Sequence, residues 1–341
     1  MADFVHLHTH SEYSLLDGLG KLEALIERAK SFDMDALAIT DHGAMYGSFK
    51  FYLKAKAAGI KPIIGVETYV ARRSRFDKEP KVDTDPHHLV LLAKNEAGYK
   101  NLMKLVTHAH LEGYYYRPRI DWELLQKHSE GLICLSACLQ GQVPSLLREG
   151  AEKEAEKIAK AYSELFGPDH YYIELQRHPS IADCDIFNEK LFKLSRKLGL
   201  PLVATNDIHY VDPDDAEAQE ILLCVQTQHT ILEKNRPLTM IDSPDFYMRS
   251  PLEMKGLFIR YPEAVSNTTK IALMCDLTLS VGKWILPNYP LESGVTPEKY
   301  LKKLVSERTD ARYPNRNNEM KERIAYELDI ICSKGYATYF L

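Results

Sequence analysis

The chain has 341 residues, 45% of them hydrophobic and 27% charged, which is enough for one large α/β domain with an appendage or for two ordinary domains. No apolar run approaches the roughly 18 residues that a membrane span requires, and the N-terminus lacks a signal peptide's basic-then-apolar pattern, so a cytoplasmic protein is expected. A net charge of −5 argues against coating nucleic acid by bulk electrostatics but not against gripping a DNA end locally, and six cysteines without a C-x-x-C pair predict reduced thiols.

Phe4 to Leu7 is predicted as a short strand, followed by an amphipathic helix over Leu22 to Phe32. Ala36 to Ile39 forms a buried-strand run ending at Thr40-Asp41-His42-Gly43, with a helix from Ala44 to Ala58 behind it. Lys61 to Val70 and Leu89 to Ala93 are further strands, and a helix spans Glu96 to His110. Gly131 to Leu135, Tyr171 to Leu175 and Leu200 to Thr205 bring the strands to seven. Alternation with helices predicts parallel strands joined by right-handed crossovers, in a doubly wound sheet or a barrel.

After about residue 212 the pattern changes. Asp214 to Gln228 and Ser250 to Cys275 are predicted helices, and Lys283 to Thr296, with two prolines, reads as a linker. Glu298 to Leu341 is charged and helical, then stops at Tyr339-Phe340-Leu341. That apolar stop is unusual for a natural C-terminus and suggests that a longer chain has been cut.

Chemistry-bearing residues gather where barrel and open α/β enzymes build their sites, beyond the C-terminal ends of the strands. His8 and His10 lie two apart on one strand face, within reach of one metal, although such a pair also occurs as ordinary surface histidines. Asp17 follows in a Leu-Leu-Asp-Gly turn, His42 ends the second strand, Glu67 the third, and His88 opens the fourth beside His87. Cys138 lies just past the fifth strand, where a cysteine is commonly a small buried hydrophobe. Asp207 and His209 follow the last strand. Taken together, these groups suit two or three cations a few ångströms apart, able to bind both the attacking and the leaving oxygen of a phosphate displacement. The four closely spaced ligands of a structural zinc site are absent.

The order H-x-H, D-G, T-D-H-G, G-x-E, strand histidine and N-D-x-H-Y resembles the polymerase and histidinol phosphatase (PHP) family. The blocks HSEYSLLDG, ALAITDHGAMYG, GIKPIIGVETYVA, HHLVLLAKNEAGYKNLMKLV, GYYYRPRID and LPLVATNDIHY are similar to the PHP domain that begins bacterial DNA polymerase III alpha subunits. YPEAVSNTTKIALMCDL, LPNYP and ERIAYELDIICSKGYATYFL are similar to the segment leading into that polymerase's palm.

The resemblance implies an α/β fold, a distorted (β/α)7 PHP barrel over residues 1–282, followed by a helical linker and the beginning of a polymerase palm over 283–341. It implies a trinuclear site of Zn2+, Mn2+ or Fe2+ on His8, His10, Asp17, His42, Glu67, His88, Cys138, Asp207 and His209, with Asp41 orienting a ligating imidazole from behind. His10, Glu67, Asp207 and His209 are the expected catalytic members.

The implied activity is 3′→5′ proofreading at a DNA primer end, with the rest of the polymerase chain and the replisome as partners and no membrane contact. The polymerase's catalytic aspartates are expected beyond Leu341, so no DNA synthesis is expected of these residues alone. Arg117 and Arg119, behind Tyr114 to Tyr116, either contact the DNA backbone or belong to a structural loop. The alternatives are a metal-stabilised scaffold without catalysis, a small-molecule phosphatase and a pyrophosphatase.

Overall fold

The computed structural model describes residues 3–315 and 317–341. They form two compact units, divided between Thr278 and Leu279. In the first unit, seven strands build one sheet: β1 (Ala36–Ile39), β2 (Lys61–Val70), β3 (His87–Ala93), β4 (Arg119–Ile120), β5 (Leu132–Leu135), β6 (Tyr171–Gln176) and β7 (Leu202–Thr205). The sheet runs β1-β2-β3-β5-β6-β7, with β4 paired to β2 at one end.

The predicted first strand is not a regular strand. Residues 4–10 are extended and buried, yet bond sparsely to both ends of the sheet. Ala38 N–H donates to His6 O (2.9 Å) and Thr40 N–H to Thr9 O (2.8 Å), while His10 N–H donates to Ile208 O (2.7 Å), just past β7. The segment thus closes the curled sheet into a distorted barrel. Strict alternation fails within it. Leu7 packs in the apolar cluster with Ile63 and Tyr172, and its neighbour His8 meets Glu67 and Glu174, which share strand faces with Ile63 and Tyr172. Consecutive residues pointing inward preclude a regular ladder here.

The expectation of an all-parallel sheet is corrected at β3, which runs antiparallel to both β2 and β5. Between β2 and β3 the chain makes no helix. Without a helical crossover it returns directly alongside the strand it has left, and that return is antiparallel. The predicted helix from Ser250 to Cys275 is two helices, Pro251–Leu257 and Pro262–Met274. Pro262 lacks an N–H and restricts Tyr261 before it, so a new helix starts there. Ile271 and Ala272 of the second helix join the barrel's apolar cluster with Val5, Val90 and Val203.

Local chemistry sets the remaining joints. Asn95 caps the helix Glu96–Leu111 by accepting from Gly98 N–H. A Cβ on Gly98 would lie 1.9 Å from Gly131 O, so only glycine lets this helix start abut the entry to β5. In the second unit, helices span Pro297–Arg312, Asn318–Ser333 and Ala337–Phe340. The stretch between Cys275 and Thr296 contains no helix or strand, and Trp284 and Ile285 there are exposed. No helix among the described residues is long and apolar enough to cross a membrane.

Candidate metal centre

All nine residues singled out as metal ligands line one end of the barrel. Glu67 sits at the middle, with each oxygen facing two imidazoles. Oε1 is 3.4 Å from His8 Nε2 and 2.9 Å from His88 Nδ1, and Oε2 is 3.4 Å from His10 Nε2 and 2.8 Å from His42 Nδ1. Asp207 Oδ1 lies 3.3 Å from His8 Nε2 and 3.2 Å from His10 Nε2. Asp17 Oδ2 is 2.9 Å from His42 Nε2, and Oδ1 is 3.8 Å from His209 Nε2. Cys138 Sγ comes within 3.8 Å of His88 Nδ1.

Three triads, His8–His10–Asp207, His42–Glu67–His88 and His10–His42–His209, each bring their ligand atoms within 4.8 Å of one another. They overlap at His10 and His42, as ligands distributed over neighbouring ions would.

Antiparallel β3 explains why His88 belongs to the cluster although it opens its strand. The start of β3 lies at the same rim as the end of β2, with Tyr69 opposite His88 and Val70 opposite His87. Alternation sends His87 to the other face, where burial pushes its imidazole down to about 4.

The backbone is bent to aim several ligands. Asp207 adopts φ +52°, Ala137 before Cys138 adopts φ +64°, and Leu16 before Asp17 adopts φ +62°, left-handed conformations that carry a cost for residues with a Cβ. A Cβ on Gly18 would meet Ser11 O at 2.2 Å, so the loop carrying Asp17 folds tightly onto the His10 segment. Thr9 and Thr40 lock that segment to β1, with Thr9 N–H donating to Thr40 Oγ1 at 2.9 Å.

Partners behind the imidazoles set their tautomers. His8 Nδ1–H donates to Glu174 Oε1 at 2.7 Å, and His209 Nδ1–H donates to the backbone O of Asp207 at 2.8 Å. His10 Nδ1 lies 3.0 Å from Ser14 Oγ, whose own proton goes to Asp41 Oδ1 at 2.9 Å. Each of these rings therefore turns an Nε2 lone pair inward. Asp41 acts through Ser14 and also accepts from Ser11 N–H at 2.7 Å; it touches no ring directly among the contacts of its carboxylate with Ser11 and Ser14. Glu174 and Ser14 are absent from the sequence-based set. An acidic residue at an inward position of Tyr171–Gln176 was the available signal for Glu174.

The donor set fits divalent cations. His8 Nε2, His10 Nε2, His42 Nδ1 and Asp207 Oδ1 are buried without a hydrogen-bond partner, a costly state for polar atoms that nothing completes. His42 Nδ1 is 2.8 Å from a Glu67 oxygen but not aligned as a hydrogen bond. Ligand atoms about 2.1 Å from one ion stand about 3.0 Å apart at a right angle and about 3.4 Å apart at a tetrahedral angle. The separations of 3.2–3.4 Å around His8 and His10 match such spacings.

Burial opposes charge on Glu67, but His88, His8 and His42 outweigh it and hold the carboxyl well below the usual range. Burial, then Glu67 and Asp207, push the Cys138 thiol well up, and a bound cation is what would deprotonate it.

The two arginines separate. Arg119 is fully buried, and donates to the carbonyls of Gly113 (3.0 Å), Asp83 (3.1 Å), Arg75 (3.0 Å) and Asp77 (2.8 Å). The DNA-contact expectation for Arg119 is therefore corrected: its guanidinium fastens a loop. Arg117 is exposed at the cleft rim, 5.6 Å over the Tyr69 ring.

Residues 6–178 match the PHP domain family, and residues 299–341 match the family described as bacterial DNA polymerase III alpha NTPase domain. The chain is 47% identical over 342 residues to DNA polymerase III subunit alpha of Borreliella burgdorferi, and 46% identical over 340 residues to that of Treponema pallidum. Each alignment takes in 99% of this chain and 29% of the relative, so the chain spans under a third of their length. Among solved structures it is similar to an amidohydrolase from Chromobacterium violaceum, at 16% identity and a TM-score of 0.39, over 60% of this chain and 87% of that one.

Proposed function

The chain belongs to the PHP family, in the branch carried by bacterial DNA polymerase III alpha subunits, and on that premise we propose that its barrel hydrolyses the terminal phosphodiester of a DNA 3′ end. The reaction is a metal-dependent 3′→5′ exonuclease step that releases a nucleoside monophosphate and serves proofreading of a mispaired primer. The observation that carries the proposal is the convergence of buried His8, His10, His42 and Asp207 atoms without a protein partner. A purely structural role gives no reason for this cluster to border an open cleft, which His42, Glu67, Asp207 and His209 line.

His8, His10, Asp17, His42, Glu67, His88, Cys138, Asp207 and His209 would hold a trinuclear set of divalent cations. Thiolate and imidazole suit zinc, while the three carboxylates suit manganese or iron beside it. Bound there, the cations supply Lewis acidity toward phosphoryl oxygens and a water of lowered pKa.

The chain's own groups do the positioning. Glu174, Ser14 and the Asp207 carbonyl keep Nε2 of His8, His10 and His209 free of protons. His10, Glu67, Asp207 and His209 act as the catalytic members of this set. Tyr69 stacks on His42 at 5.7 Å and meets His88 edge-on at 5.2 Å, which holds both rings and shields them from water. Arg117 is placed to neutralise a phosphate of the strand entering the cleft. Membership of the polymerase branch supports a longer polymerase chain and its replisome as partners.

The test combines metal analysis with digestion of single-stranded and 3′-recessed DNA in manganese, comparing wild type with Asp207→Asn. The expected outcome is mononucleotide release with a loss on the order of 100-fold in the variant, at least the effect of removing a group behind a ligand. Metal-replete protein that leaves DNA intact, but melts lower on chelation, would establish the scaffold reading. Turnover of histidinol phosphate or pyrophosphate in place of DNA would establish a small-molecule enzyme.

A further inference from the structure

Beside the metal cleft lies a second, largely apolar cavity of about 160 Å³. Leu139, Ile181, Met240 and Phe246 supply its apolar walls. It adjoins the cleft, since Cys138, Gln140, Asp207 and Met240 line both.

Two polar groups at this cavity lack partners. His178 is 4% exposed, and neither ring nitrogen has a hydrogen-bond partner. Glu174 gives Oε1 to His8, but Oε2 is buried without a partner.

His178 is held firmly. Its ring stacks on Phe246 with centroids 4.3 Å apart and planes at 27°, and its carbonyl accepts from Ile181 N–H at 2.9 Å. The next turn is fixed by Ser180 N–H donating to Asp245 Oδ2 at 2.8 Å. Burial pushes the imidazole down to about 4, so near neutral pH it presents one donor and one acceptor. Buried polar atoms of this kind cost stability unless something completes them, and a structural core position would be filled more cheaply by an apolar ring.

We propose that this cavity is the subsite for the nucleobase of the 3′-terminal nucleotide, with His178 and Glu174 bonding to its polar edge between apolar walls. A nucleobase combines flat apolar faces with an edge of alternating donors and acceptors, which is the complement of these walls and these two groups. The inference rests on the DNA 3′ end reading above and adds where the released nucleoside is gripped. Whichever groups in the cleft act on the phosphate, binding the base next to it orients the scissile bond.

The test uses the full chain in manganese and two oligonucleotides that differ only in whether the 3′-terminal sugar carries thymine or is abasic. Wild type should favour the thymine end by at least about tenfold in kcat/KM, the scale of one or two completed buried hydrogen bonds. His178→Phe keeps the ring and its stack on Phe246 but removes both nitrogens, and should bring the ratio toward one. Ile181→Trp fills the cavity from its apolar wall, and should raise KM for the thymine end alone. It also serves if His178→Phe fails to fold, as judged by circular dichroism.

A wild-type ratio near one overturns the subsite and leaves the exonuclease standing, as does a folded variant pair that keeps the wild-type ratio. Failure of wild type to cut either oligonucleotide overturns the exonuclease proposal, and the subsite with it.

Discussion

Substituting Glu174 by glutamine tests whether the tautomers behind the cluster govern metal binding. Glu174 Oε1 receives Nδ1–H of His8 at 2.7 Å and Nε2–H of Gln176 at 3.0 Å, together with the hydroxyl of Thr205. Glutamine preserves the volume but removes the charge, and its amide can turn an NH2 toward Nδ1. His8 would then accept at Nδ1 and carry its proton at Nε2, pointing at Asp207 Oδ1 3.3 Å away, where a lone pair is needed.

Even with the amide oxygen inward, a charge-assisted hydrogen bond becomes a neutral one, a loss of about 1 to 2 kcal/mol. Groups behind metal ligands are typically worth 10–100-fold in affinity or activity, or about 1.4 to 2.8 kcal/mol. A 10–100-fold weaker retention of the metals is therefore expected for Glu174→Gln, read by chelator competition with metal analysis, with kcat for DNA hydrolysis falling in parallel. An unchanged competition curve in a folded variant would refute the assignment of Glu174 as the group that fixes His8.

Three further outcomes are expected from other parts of the barrel. Chelation should lower the melting temperature by several degrees: a ligand at 100 times its Kd stabilises by about 2.7 kcal/mol, and each kcal/mol moves a domain of this size by about 2 to 4 °C; an unchanged calorimetric melt would contradict a buried metal cluster. Arg119→Met should destabilise by more than about 3 kcal/mol, because it strips the donors from four carbonyls, while leaving the salt dependence of DNA binding in place; a salt slope reduced by about one would restore Arg119 as a phosphate contact.

His6 bears on acid stability. Burial holds it down to about 4 against an ordinary 6.5, with Nε2–H on Arg249 O at 2.8 Å. Between those values the unfolded chain binds a proton that the folded chain refuses, so this contribution is present above about pH 6.5 and lost as pH falls toward 4. The loss is on the order of 3 kcal/mol, and His6→Gln should remove it from the pH dependence of urea unfolding of metal-free protein; identical pH profiles for the two proteins would refute it.

The candidate ligands were legible because most of them lie at or just beyond a buried run in a recognisable local context, where H-x-H, T-D-H-G, G-x-E and N-D-x-H place an imidazole or carboxylate. The strands were legible for a related reason, since Ala36–Ile39 and Leu202–Thr205 are too short and apolar to be anything but buried strand. Arg119 stayed open between a DNA contact and a structural loop because a basic residue after three tyrosines has the same sequence signature at a surface as in a buried loop. Only the positions of the four carbonyls it serves, drawn from residues 75 to 113, distinguish the two.

What the amino-acid order determined by itself was the inventory: six of the seven strands of the sheet, the side chains able to hold metal, and the family to which their spacing belongs. What the tertiary structure alone decided was direction and company. It turned β3 antiparallel, so that His88 rather than His87 reaches Glu67. It broke the alternation at Leu7 and His8 so that residues 4–10 close the barrel. It also set Glu174 behind His8 and left His178 beside an apolar cavity. These depend on contacts between residues far apart in sequence, and short-range periodicity carries no information about which distant strand or carbonyl a side chain will meet.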